Sequence, residues 1–288
     1  MSAVDMNNIP AHYLTAGATT GFAPKPFERL CFLLMGASKT GKSSLCGGLP
    51  GYAYADMETG SHSIIGMQAT RFKCPAYNEK DLTAIQKAEG CTSLKNLLGL
   101  LLKDSKEGKR YFQSVVFDSM EVLQTYVVAD MSTGQEDIRD ANNMGKNWSR
   151  IAEEMVKWPV MMQNNGYGWI AITHSKLTED GSKLRPGIIP GSYQLLTAYA
   201  DYILRIEKVA ARGTGPDGKP TTTFKYVLRI EPSTKVVDDC AQGGRIALPP
   251  SIDLPKVGGL LKLKETYNEA VKIATEEHKK FIDSLAGK

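Results

Sequence analysis

An α/β fold with a mainly parallel sheet flanked by helices is predicted by three observations. The first is Gly36-Ala37-Ser38-Lys39-Thr40-Gly41-Lys42-Ser43, a full match to G-x-x-x-x-G-K-[ST]. It follows the apolar run Leu30-Cys31-Phe32-Leu33-Leu34-Met35 and leads into a helix start at Ser44-Leu45-Cys46-Gly47. The second is the alternation of short apolar runs with helix-length segments, which is what crossover connections between parallel strands require. The third is length: 288 residues suit one sizeable core with short appendages better than two equal domains.

In chain order, residues 1–28 are rich in Ala, Thr, Gly, Asn and Pro without a sustained period, and read as a flexible N-terminal arm. The core, 29–250, opens with a strand at 30–35 and a second at 52–58, after the break Gly47-Gly48-Leu49-Pro50-Gly51. Residues 81–103 carry helical spacing, interrupted near Gly90. Tyr111–Asp118 reads as a buried strand ending in an acid, followed by a helix over 120–129. A polar stretch, Met131–Asn147, precedes an amphipathic helix over 148–164 and an apolar strand, Gly168–Thr173, ending at His174. Ser175–Tyr193, with its Gly, Pro, Lys and Arg, reads as a long loop. Strands at 200–209 and 223–230 flank the turn Gly213–Gly218 as a β-hairpin extension, and the alternation around Tyr226, Leu228 and Ile230 suits a sheet edge. Residues 251–288 form a linker and a charged amphipathic helix, Leu260–Leu285.

Composition narrows the class further. With 42% apolar and 23% charged residues the chain is an ordinary globular one, and a net charge of +4 permits nucleic-acid contact without requiring it. Five cysteines show no C-x-x-C pair and read as free thiols of a reducing compartment. Four histidines show no metal-ligand spacing. No run is apolar for long enough to span a bilayer and the start does not read as a signal peptide, so the expected setting is the cytoplasm, with no membrane partner.

The glycine loop places successive backbone N–H groups around one anion, with Gly36 and Gly41 permitting the curl and the following helix adding its positive end. Lys42 would sit between the β- and γ-phosphates, and the Ser43 hydroxyl would ligate Mg²⁺. A strand-end acid should complete the metal site, and Asp118 fits, although an Asp there also caps the next helix. A group is needed to orient the attacking water. Glu58, closing the second strand in Asp56-Met57-Glu58-Thr59-Gly60, is the candidate, with Asp56 its competitor. A polar group after the later strand can sense the γ-phosphate: His174, with Thr173 as alternate. No N-K-x-D base-reading motif is present, which favours adenine over guanine.

These elements, in the order Gly36–Ser43, Asp56-x-Glu58-x-Gly60, Val116-Phe117-Asp118-Ser119, Ile172–Lys176 and Tyr199–Ile206, resemble the phage-encoded RecA-like ATPases, the nucleotide-binding group that includes the Sak-type single-strand annealing proteins. The resemblance covers roughly residues 29–250. It implies a RecA-like P-loop core in which Glu58 is the catalytic glutamate, set on the second strand and not beside the Walker B acid. It also implies single-stranded DNA in the two polar loops, with Lys176, Lys183, Arg185 and Tyr193 as the second loop's contacts. Such ATPases fire between subunits of a ring or filament, which makes Lys235 and Arg245 candidates for the basic finger reaching a neighbour's nucleotide. The phage proteins place a Lys-Asp-Arg-like run there, whereas this chain has Val237-Asp238-Asp239-Cys240. Tyr13-Leu14-Thr15-Ala16 matches a four-residue subunit tether by what we read as coincidence.

The expected function is therefore an ATP- and Mg²⁺-dependent ATPase acting on single-stranded DNA in phage recombination, annealing or replication, in the infected host's cytoplasm. Its partners would be its own copies and a single-strand-binding or replication protein. A regulatory or assembly ATPase with a protein partner is the alternative, and a small-molecule kinase is a third reading, weakened by the lack of an arginine-rich lid.

Overall fold

The computed structural model describes residues 22–61, 64, 66–132, 144–179, 181, 183–214, 220–232, 237–238, 240–242 and 246–286. Its centre is β1 (Cys31–Gly36), which pairs in parallel with β5 (Gly168–Leu177) on one side and β7 (Tyr202–Thr214) on the other. Beyond β5 come β4 (Ser114–Asp118), β2 (Tyr52–Asp56) and the edge strand β3 (Thr70–Lys73), all parallel. Beyond β7 the pairing turns antiparallel, through β8 (Pro220–Arg229) to β11 (Ser251–Leu254), and β10 (Ala241–Gln242) also pairs with β7. The expected α/β class, with a mainly parallel sheet flanked by helices, is what the chain forms.

The apolar strands are buried on both faces, as parallel strands between helical layers must be. The alternation of side chains sorts β1 into Cys31, Leu33 and Met35 toward one layer and Phe32 and Leu34 toward the other. The first layer holds α3 (Leu94–Lys106), α4 (Met120–Ser132) and α5 (Met144–Asn164). The second holds α1 (Lys42–Cys46) and the start of α7 (Gly259–Ala286), whose Leu260, Leu263 and Tyr267 are buried. Helix starts follow local chemistry. Thr83 and Gln86 form a capping box on α2 (Ala84–Ala88), Gly90 takes a left-handed φ of 74° between α2 and α3, and Pro190 opens α6 (Pro190–Tyr199).

Several expectations change. Ser175–Tyr193 is not a long loop: β5 runs on past His174 to Leu177, turns, and returns as β6 (Lys183–Pro186), after which α6 begins. The Gly, Pro, Lys and Arg of this stretch hid the hairpin, although Leu177 and Leu184 pair directly across it. β6 also pairs with β9 (Val237–Asp238). β8 is not the sheet edge, since Ser251–Leu254, expected as linker, covers it as β11. Within the described part of the N-terminal arm, Phe27 is buried, Lys25 pairs with Asp201 at 2.8 Å, and the Tyr267 hydroxyl donates to the Lys25 carbonyl. The five cysteines are free thiols. Among the described residues no helix is long and apolar enough to cross a membrane. Lys235 and Arg245, residues 133–143 of the first polar loop, and Tyr13–Ala16 lie outside the described residues.

Candidate functional site

Parallel strands all end on one side of the sheet, so their carboxyl ends converge. In register, Gly36 is opposite His174 and Asp56 is opposite Asp118. Four sequence-predicted groups, the glycine loop, Glu58, Asp118 and His174, are thereby gathered at one edge.

The loop after β1 is shaped by backbone needs. Gly41 has φ 89°, Lys39 has φ 61°, and a Cβ on Gly36 would come within 2.7 Å of the Ile206 carbonyl. Thr40 closes the turn by donating to the Ala37 carbonyl at 2.8 Å. α1 is only five residues long, so the anion cradle depends on loop amides more than on a long helix dipole. Lys42 is buried, and its ammonium donates to the Gly36 and Ala37 carbonyls at 2.9 and 2.8 Å. Burial pulls the Lys42 pKa down, while the charges of Glu121, Asp118 and Glu58 hold it up. The lysine thus sits among carboxylates, held over the loop it would use to grip a phosphate.

Asp118 is buried and accepts a hydrogen bond from the Tyr54 hydroxyl and another from Ser43. Burial pushes its carboxyl above the usual carboxylate range; the Tyr54 and Ser43 hydrogen bonds lower it, and the Glu58 and Asp56 charges raise it again. Pairing of the Ser43 hydroxyl with the Asp118 carboxylate fits the donor set for a hard cation. The described residues hold no cluster of three or more His, Cys, Asp or Glu side chains that could hold a metal ion.

Glu58 is exposed at the end of β2, where Ser119 donates to its Oε1 at 2.5 Å. Asp56, its competitor, is buried and turned away: its Oδ2 accepts from the Ser61 hydroxyl at 2.5 Å. Of the two, Glu58 faces solvent beside the lysine, and Asp56 fastens the turn that carries it.

Sequence reasoning missed Glu121. It lies in the first turn of α4, three residues past Asp118, and its Oε1 accepts from the Thr173 hydroxyl at 2.5 Å and the His174 amide at 2.6 Å. His174 Nδ1 stands 3.7 Å from Glu121 Oε2. An acid at a helix start is so common a companion of the dipole that nothing in the sequence singled it out. Tyr54 and Ser119 were missed for a similar reason, since one reads as a strand aromatic and the other as a helix cap. A recess lined by Thr40, Gly41, Ser44, Tyr226, Leu254 and Lys256 adjoins the loop, with the Tyr226 ring within 3.8 Å of where a Cβ on Gly41 would stand.

The DNA-loop candidates separate. Lys176 and Arg185 are directly opposite each other in the β5–β6 hairpin, and Lys183 opens β6. Tyr193 lies on α6 and packs against the core, so its ring is not an open stacking platform.

A family model described as an AAA domain matches residues 28–237. No curated protein matches the chain. Among solved structures, a KaiC-like protein from the hyperthermophilic archaeon Pyrococcus horikoshii OT3 is 13% identical, over 79% of this chain and 91% of that one, with a TM-score of 0.39. The flagellar accessory protein FlaH from Methanocaldococcus jannaschii is 12% identical, over 81% and 88%, with a TM-score of 0.35. The RadB recombinase is 17% identical, over 73% and 81%, with a TM-score of 0.37.

Proposed function

The chain belongs to the AAA domain family, and from that premise we propose that it is a Mg²⁺-dependent ATPase whose turnover is coupled to single-stranded DNA held on the β5–β6 hairpin. One observation carries the DNA reading: Lys176 and Arg185 are cross-strand neighbours on the strand pair that grows directly out of the nucleotide site. Like charges directly opposite in an antiparallel pair are destabilising, and a bridging phosphate turns that repulsion into a binding site.

In the proposed cycle Lys42 leaves the Gly36 and Ala37 carbonyls for the β- and γ-phosphates. Ser43 and Asp118 would hold Mg²⁺, which would supply the positive charge that offsets charge developing on those phosphates. Glu58, held by Ser119, would orient the attacking water, and Thr173 or His174 would sense the γ-phosphate. The recess beside Tyr226 would take the adenine. A neighbouring copy would complete the site, with Lys235 or Arg245 as the finger. Annealing or recombination is the role nearest this chemistry, as in the phage ATPases that the sequence resembles.

ATP hydrolysis with and without oligo-dT across a salt series tests the reading. Stimulation that fades steeply with salt supports it. A protein partner is the second reading, favoured by Ile273, Phe281, Ile282 and Leu285, which are exposed on α7. ATP-driven assembly with no response to DNA would support that reading, and phosphate on an added acceptor would support a kinase.

A further inference from the structure

Glu121 has no part in the cycle above, yet it touches both of the regions that cycle must connect. Its carboxylate is the acceptor for the Thr173 hydroxyl and the His174 amide, the last two groups of β5 before the hairpin. On the hairpin's return side, the Gly187 amide donates to the Thr173 hydroxyl oxygen at 3.1 Å and to the His174 carbonyl at 2.6 Å. One turn along α4, the Gln124 side-chain oxygen accepts from the Ile189 amide at 2.9 Å. α4 thus grips the hairpin at both of its roots.

The fit around the carboxylate is close. A Cβ at Gly187 would lie 2.9 Å from Glu121 Oε1 and 3.1 Å from the His174 carbonyl, so this position has no room for a side chain while Glu121 stays in place. Its second oxygen, Oε2, is buried and makes no hydrogen bond among the described residues, with His174 Nδ1 3.7 Å away. A buried carboxylate oxygen left in that state is costly and favours any rearrangement that supplies a donor. On the nucleotide side, His174, whose amide donates to Glu121, is the cross-strand partner of Gly36 at the start of the glycine loop, and the Glu121 charge helps to keep Lys42 charged.

We propose that Glu121 is the positioning residue through which phosphate occupancy of the glycine loop reaches the β5–β6 hairpin. Phosphate in the loop draws the Lys42 ammonium to itself and sets a negative charge near the Glu121 carboxylate. The grip of Glu121 on Thr173 and His174 then differs between the empty and the filled loop, and that difference biases the hairpin. A ligand shifts such an equilibrium only through a group that meets it differently in the two states, and Glu121 is placed to be that group. The inference rests on the nucleotide site and not on DNA: a protein that ignores DNA would overturn the DNA reading and leave this one standing.

Hydrogen–deuterium exchange of residues 175–189 tests it, in full-length protein with no nucleotide and at saturating ATP analogue with Mg²⁺. Wild type should change its protection in this segment at least about threefold on nucleotide binding. Glu121→Ala and Thr173→Val, each at an analogue concentration that saturates it, should lose that change, whereas Thr173→Ser, which keeps the hydroxyl, should restore it. Glu121→Gln keeps an acceptor oxygen and removes the charge, so it should hold the hairpin yet no longer respond to nucleotide. That variant also serves should the alanine form not fold. A wild-type segment indifferent to nucleotide would overturn the proposal. So would a nucleotide-bound Glu121→Gln or Thr173→Val protein whose hairpin responds as wild type does.

Discussion

In the nucleotide cradle, Lys42 donates to two loop carbonyls, and the charges of Glu121, Asp118 and Glu58 help to keep it charged. On the hairpin that continues from β5, Lys176 and Arg185 instead oppose each other. Both regions are cationic sites, but the first has acids acting on a single lysine, whereas the second sets two basic side chains directly opposite each other. The difference concerns what each must do when its ligand leaves. A buried lysine without counter-charges would be pulled toward its neutral form, so the cradle needs its acids in order to keep a charge ready. The hairpin is open to water, which screens its repulsion, so it can wait for a polyanion at little cost.

The largest effects should come from breaking the cradle. Lys42→Ala removes the one buried cation at the loop and is expected to lower kcat at least about 10²–10³-fold, the scale of losing a preorganised charge at a transition state. Glu58→Gln should lower kcat comparably while ATP still binds, so that a filter-binding assay finds trapped ATP in a single-turnover reaction. A Glu58→Gln protein turning over at the native rate would pass the water-orienting role to another acid.

Next in size is charge reversal on the hairpin. Lys176→Glu with Arg185→Glu should weaken binding of oligo-dT about 10–100-fold and flatten the slope of log K against log salt by about 1–2, each phosphate that the hairpin no longer neutralises on a single strand being worth about 0.7. Unchanged affinity with an unchanged slope would remove the hairpin from the DNA reading.

The two regions were also unequally legible in the sequence. The cradle announces itself because its chemistry constrains residue types at fixed spacing: Gly36, Gly41, Lys42 and Ser43 are each set by a backbone or phosphate requirement. Glu58 and Asp118 were legible as strand-end acids, since a charged residue closing an apolar run is unusual enough to notice. The hairpin was not, because β6 has only four residues, too few for a period to show. Tyr193 was misplaced for the complementary reason: an aromatic among Gly and Pro reads as a loop platform until α6 is seen to carry it to the core. Glu121 escaped because its importance lies in its hydrogen bonds with Thr173 and His174, some fifty residues along the chain, which no local pattern encodes.

A smaller and more pointed effect is expected at Tyr54. Its hydroxyl stabilises the ionised Asp118 carboxylate, so Tyr54→Phe removes one of the hydrogen bonds that hold that pKa down. The carboxyl should then need a higher pH to ionise. The acid limb of the Mg²⁺-activated rate should move to higher pH, with about a tenfold weaker Mg²⁺ requirement constant below that limb, the scale of one hydrogen bond to a charged group. A pH–rate profile identical to wild type would show that Tyr54 packs beside Asp118 without tuning it.

The smallest effect runs opposite in sign, and separates what the cradle does for function from what it does for stability. Burial and the neighbouring acids hold the Asp118 carboxyl above the ordinary carboxylate range. The folded state therefore binds that proton more tightly than the unfolded chain does. The resulting stabilisation is complete below the unfolded pKa and is lost as pH rises through the raised folded value. At neutral pH the buried charge of the nucleotide-free protein is a net cost. Asp118→Asn keeps the side-chain shape and removes the charge, so it should raise the Tm of the nucleotide-free protein by about 2–4 °C at pH 7, the shift that roughly 1 kcal/mol produces in a domain of this order of size. The gain should shrink as the pH falls toward the carboxylate range, where the native residue is itself neutral. Mg²⁺-nucleotide should raise the Tm of wild type more than that of Asp118→Asn, because only the carboxylate answers the ion with full charge. A lower Tm for Asp118→Asn without nucleotide would mean that the Tyr54 and Ser43 hydrogen bonds outweigh burial, and the cradle would then be stabilised by its charge as well as used for it.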